Sequence, residues 1–169
     1  MADTTRVLVT AASKHGATSE IADAIAAELA SSGTTVTRLD PEVIDTLEPY
    51  DAIVLGSAVY AGHWQKDARR LVERFADDLR TRDVWLFSSG PIGDPPLPEA
   101  EPVDVAEVME ASAATEHRIF SGSMQQSELT FGERAVVAAL RAEYGDFRDW
   151  EDICNWARSI AGRLGTVDA

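Results

Sequence analysis

Short β-branched apolar runs alternate along this chain with longer stretches whose apolar residues recur every three or four positions. Arg6 to Thr10 (RVLVT) has the pattern of a strand buried on both faces, and Ile21, Ala22, Ile25 and Leu29 make the inner stripe of a helix after it. Gly33 stops that helix, and Thr34 to Leu39 alternates as a second strand. Asp40-Pro41 has the form of an N-cap and first helical residue, opening a short helical turn through Leu47. Asp51 to Gly56 is a third buried strand, Gln65 to Leu79 a helix with Ala68, Leu71, Val72 and Phe75 inward, and Val84 to Ser88 a fourth strand. Five of the seven prolines then fall between Pro91 and Pro102, which reads as an extended loop. Val103 to Thr115 has helical spacing, and His117 to Ser121 is a fifth strand. Thr130 and Glu133 have capping-box spacing, starting a helix to about Ala142. The loop Glu143 to Arg148 follows, and Asp149 and Asp152 open a last helix to about Leu164.

This alternation calls for an α/β fold, a parallel sheet with helices on both faces, and its five strands fit the known doubly wound order 2-1-3-4-5. All 169 residues read as one domain, with an extra helix near 131–142. The switch point of that order lies between strands one and three, so a ligand belongs over their carboxyl ends. Three loops arrive there: Ser13 to Thr18, Ser57 to Trp64, and Ser88 to Ile92.

The first loop, Ser13-Lys14-His15-Gly16-Ala17-Thr18, offers hydroxyls, backbone N–H groups and the positive end of a helix. That set binds an anion; the plainer alternative is a strand-to-helix turn capped by Thr18 or Ser13. The loop lacks the Gly-Lys-Ser/Thr ending of a Walker A sequence, and no G-x-G-x-x-G occurs. No Ser-His-Asp or Cys-His set assembles. Receiver-type phosphotransfer is disfavoured, because the third strand ends in Gly56-Ser57 where an acceptor aspartate would stand. His15 and His63 lie on these loops, facing either a substrate or solvent.

Composition narrows the partners. A net charge of −14 argues against nucleic acid and against an anionic membrane surface. It suits a basic protein partner, or serves solubility alone. No apolar run approaches the roughly 18 residues of a membrane span, and no leader precedes the first strand, so the cytoplasm is the expected compartment. Cys154 is the one cysteine, at helical spacing among Trp150, Ile153, Ala157 and Ile160, and reads as a buried structural thiol.

Ser13, Gly16 and Thr18 resemble the phosphate loop of flavodoxin-like proteins: a hydroxyl residue, two variable residues, Gly, one residue, then Thr. The resemblance implies that this loop holds the phosphate of FMN. GSAVYAGHW (56–64) and GDFRDWEDICNWARSIA (145–161) are similar to the flavodoxin branch that contains quinone-linked protoporphyrinogen oxidases. This similarity spans nearly the whole chain, Phe131-Gly132-Glu133-Arg134 included. A flavin ring needs stacking partners and backbone hydrogen bonds. Tyr60 and Trp64 are the stacking candidates, or else ordinary packing aromatics beside a helix start; Gly62 lets the peptide approach the ring, and Ala58, Val59 and His63 share that loop. Ser88, Ser89 and Gly90 offer N–H and C=O groups to the ring's polar edge. The leading function is FMN-based electron transfer, with a redox partner such as a basic reductase. The alternative is an FMN-dependent oxidoreductase such as a quinone-linked protoporphyrinogen oxidase, with a quinone as partner. A non-redox interaction module is the third. The acidic, proline-rich stretch Pro91 to Glu116 stands where the resemblance implies a longer basic insertion in the haem-pathway enzymes.

Overall fold

The computed structural model describes residues 4–60, 62–90, 102, 104–140 and 144–166, and its frame follows from the branched apolar runs. β1 (Arg6–Ala12) is buried at every position after Arg6. Val7, Val9 and Ala11 join one core and Leu8 and Ala12 the other, as two-residue alternation in a central strand requires. α1 (Ala17–Ser31) leads to β2 (Thr35–Arg38), which pairs parallel with β1. β3 (Ala52–Tyr60) pairs parallel on the other side of β1 and folds back into β4 (His63–Trp64) as an antiparallel hairpin. β5 (Asp83–Ser89) and β6 (Glu116–Phe120) extend the parallel sheet, giving the order β2-β1-β3-β5-β6. This is the doubly wound order expected from the sequence, reversing direction between β1 and β3.

Two cores flank the sheet. On one face, Ile21, Ile25 and Leu29 of α1 pack with Ile153, Trp156 and Ile160 of α6 (Trp150–Thr166). Beneath them Phe87, Phe120 and Trp156 meet edge to face or tilted, with ring centroids 5.5–6.0 Å apart, the geometry aromatic quadrupoles favour. Gly56 is glycine because the Phe87 ring lies across it; a methyl group there would overlap the ring. On the other face, α2 (Lys66–Arg74), α3 (Ala76–Leu79) and α4 (Val105–Ser112) bring Leu71, Val72, Leu79 and Val108 onto Leu8, Ile53 and Leu86.

Several sequence boundaries need correction. The third strand does not end at Gly56 but continues to Tyr60, because Ser57 and Ala58 still pair with β5 and Tyr60 pairs with His63. The helix expected over 65–79 breaks at Phe75, which leaves helical geometry at φ −114°, ψ 22°. Residues 41–43 form a single 3-10 turn rather than a helix to Leu47. The capping box at Thr130 is only half made: Glu133 N–H donates to Thr130 Oγ1 at 3.2 Å, but the Glu133 side chain goes elsewhere. The helix it opens is α5 (Phe131–Leu140). Within the stretch taken as a loop, β8 (Gly145–Asp146) pairs antiparallel with β7 (Ser123–Met124); two-residue strands carry no periodicity to read. Cys154 is half-buried rather than buried. The proline-rich segment 91–101 lies outside the described residues, as do Ala61 and Val103. Among the described residues, no helix is long and apolar enough to cross a membrane.

Candidate functional site

The turn from β1 into α1 is set by two bonds. Ser13 Oγ accepts the Gly16 N–H at 2.9 Å, and Gly16 takes φ +92°, which a side chain would strain. The first intrahelical bond runs from Glu20 N–H to Gly16 C=O. The amides of Ala17, Thr18 and Ser19 therefore belong to the unpaired first turn, and no side-chain hydrogen bond caps it. The N-cap is Gly16, so neither Ser13 nor Thr18 caps the helix as the plain-turn alternative expected. Thr18 is buried and its residue borders the cleft above. Such a helix start, uncapped and beside a cleft, is chemically suited to an anion.

That cleft opens to solvent over the carboxyl ends of the strands. Ser13, Lys14, His15, Ala17 and Thr18 form one wall; Ala58, Val59 and Tyr60 form the second; Ser89 and Gly90 form the third. All three loops named from the sequence contribute. Gly90 has no space for a Cβ, which would press on Val59 at 2.9 Å, so the backbone itself forms that part of the floor.

Other named residues serve the frame instead of the cleft. Trp64 is 2% exposed, within the core on the α2 side, and its Nε1–H donates to Ser88 Oγ at 2.8 Å. Ser88 in turn lies 2.7 Å from His117 Nε2. Ser57 Oγ donates to Ala58 C=O and accepts the Gln65 N–H, both at 2.8 Å, closing the entry to α2. Gly62 takes φ +81° in the β3–β4 turn. His63 Nδ1 lies 3.2 Å from the Asp104 carboxylate, which also accepts the Trp64 N–H at 3.0 Å. Asp104 thus latches the hairpin to the start of α4.

Two features were missed from the sequence. The fourth wall is Gly122 to Gln125 with Glu128 and Leu129, after β6; the rule that ligands meet strand carboxyl ends applied equally to that strand. The second is a ring of charge around the β1–α1 loop. Glu133 of α5, 8% exposed, takes Lys14 Nζ at 2.9 Å and His15 Nε2 at 3.0 Å. Arg148, 9% exposed, binds both Asp146 oxygens, Glu20 and the Ala17 carbonyl, and its guanidinium lies 4.6 Å from the centre of the Trp150 ring. It pins the loop before α6 to the first turn of α1.

The Lys14 ammonium, with His15 second, holds the Glu133 carboxyl below its ordinary 4.5, and Arg148 holds Asp146 below 3.8. A depressed folded value means that this stabilisation is complete above the unfolded value and lost as pH falls through the folded one. The urea midpoint is therefore expected to hold near neutrality and fall below about pH 4.5. Glu133→Gln should flatten part of that fall; an identical acid profile in the variant would contradict the assignment.

The comparisons with known proteins agree with this fold. Residues 8–150 match the family model described as "Flavodoxin domain". Protoporphyrinogen IX dehydrogenase [quinone] of Escherichia coli (strain K12) is 21% identical over 171 residues, covering 92% of this chain and 94% of that protein. A Streptococcus pneumoniae flavodoxin superposes with a TM-score of 0.63 at 17% identity, covering 94% of this chain and 99% of that one. Rubredoxin oxygen:oxidoreductase from Desulfovibrio gigas gives 0.67 at 12% identity, with 95% of this chain matching 36% of that one. The chain belongs to the flavodoxin domain family, and that membership indicates FMN as its cofactor.

Proposed function

We propose that the protein is an electron-transfer flavoprotein, with FMN seated in the cleft at the β1–β3 switch point. The observation that carries this reading is the uncapped first turn of α1, opening beside the same cleft that Tyr60 borders. In this reading the Ala17, Thr18 and Ser19 amides with the Ser13 and Thr18 hydroxyls hold the phosphate. Tyr60, 40% exposed, is the stacking aromatic; Trp64, enclosed in the core, leaves that role to it. Ser89 and Gly90 present backbone groups to the ring's polar edge. FMN supplies one- and two-electron chemistry; the protein supplies position and electrostatics. FAD is expected to bind poorly, because a terminal phosphate enclosed at a helix start leaves no path for an adenylate.

A second reading, an FMN-dependent oxidoreductase passing electrons to a quinone, draws on the Escherichia coli relative, aligned nearly end to end at 21% identity. The carrier reading is preferred on charge. A −14 chain speeds encounter with a basic reductase and slows approach to an anionic membrane. A porphyrin's carboxylates also meet few cations here: Lys14 is bound to Glu133 and Arg118 to Asp152 at 2.8 Å. The test is kinetic, comparing reduction by a basic flavodoxin reductase across salt with protoporphyrinogen turnover in the presence of menaquinone. Salt-sensitive reduction without porphyrin turnover supports the carrier. Rapid porphyrin turnover with salt-indifferent reduction reverses the ranking.

A further inference from the structure

Lys14 belongs to the anion loop, yet its ammonium reaches across the cleft: Nζ lies 3.6 Å from the centre of the Tyr60 ring. Glu133 holds it there from α5 at 2.9 Å. A carboxylate and an aromatic face together fix an ammonium better than either alone. Lys14 and Tyr60 both border the cleft, and Tyr60 is the exposed aromatic of the β3 wall. From the Glu133–Lys14–Tyr60 bridge we propose that Lys14 is the residue that sets the reduction potential of the cofactor, a cation held at the ring end of the site and tuned by Glu133. This rests on the FMN reading above.

Full reduction of FMN at neutral pH takes two electrons and one proton when the product is the anion, so the site gains one negative charge. Lys14 covers one face of Tyr60, so the flavin takes the other, and a cation tethered behind the stacking aromatic favours that product. Other charges near this cleft oppose or ignore it. Glu128 borders the cleft and Glu133 is negative, whereas Arg148 is turned into its own pairs with Asp146 and Glu20. Lys14 therefore offsets, at short range, the bias of an acidic chain against adding charge.

The experiment is an equilibrium reduction of the FMN-loaded protein by dithionite against reference dyes, for wild type, Lys14→Met, Lys14→Arg and Glu133→Gln. The midpoint potential of full reduction is expected to shift negative in Lys14→Met, return toward wild type in Lys14→Arg, and shift positive in Glu133→Gln. A Lys14→Met potential at or above wild type overturns the proposal, as does a negative or absent shift in Glu133→Gln. If Lys14→Met fails to fold or to hold FMN, the same potential measured in Lys14→Gln decides, a value at or above wild type overturning the proposal. Wild-type protein that takes up no FMN sinks the functional reading and this inference together; bound FMN indifferent to these charges sinks this inference alone.

Discussion

Trp156→Ala is expected to lower stability by about 3–5 kcal/mol, the usual cost of emptying a buried tryptophan site. Trp156 is 2% exposed and forms the contact between α6 and the sheet, edge-on to both Phe87 and Phe120, with its Nε1–H donating to Glu116 at 3.2 Å. Collapse cannot fill the space. Phe87 already lies across Gly56, and Ile153 and Ile160 are fixed by α6 itself. Against a total of roughly 5–15 kcal/mol for a typical protein, that loss is large. It should lower the thermal midpoint by roughly 6–20 °C. A shift of only a degree or two in calorimetry would show that α6 is not what closes this face.

Thr18→Val is expected to weaken FMN binding by roughly 10- to 150-fold, the loss of a hydrogen bond to a charged group, about 1.5–3 kcal/mol. Valine keeps the shape of a threonine, and Thr18 is buried against the cleft at the first turn of α1. The fold should survive, so circular dichroism and the urea midpoint should change little while the FMN titration moves. Unchanged FMN affinity in a folded variant would take the phosphate away from this loop.

The sheet could be read from the sequence because a parallel strand buried on both faces leaves an unmistakable apolar run: RVLVT, AIVL and VWLF each stand alone between helical stretches. Connection rules gave one parallel sheet with helices on both faces, while the strand order and its switch point came from fitting five strands to a known doubly wound arrangement. What the sequence hid depends on contacts between distant residues. Trp64 beside Gly62 looks like a loop aromatic, but its indole N–H finds Ser88, 24 residues on, and the ring turns into the core. Glu133 looks like the last member of a capping box, yet Lys14 and His15, 118–119 positions earlier, outcompete its own helix end. Arg148 sits in a motif chosen for its resemblance alone; its bonds to Ala17 and Glu20, about 130 residues away, show why that stretch matters to the anion loop.

On the proposed function, the uncapped start of α1 and the cleft beside it form an FMN site. The most direct measurement is a titration of the purified, flavin-free protein with FMN and, separately, with FAD, followed by flavin fluorescence and visible absorption. Saturation at one FMN per chain with a perturbed absorption band is expected, with far weaker binding of FAD. No FMN uptake, or equal affinity for both flavins, would contradict it.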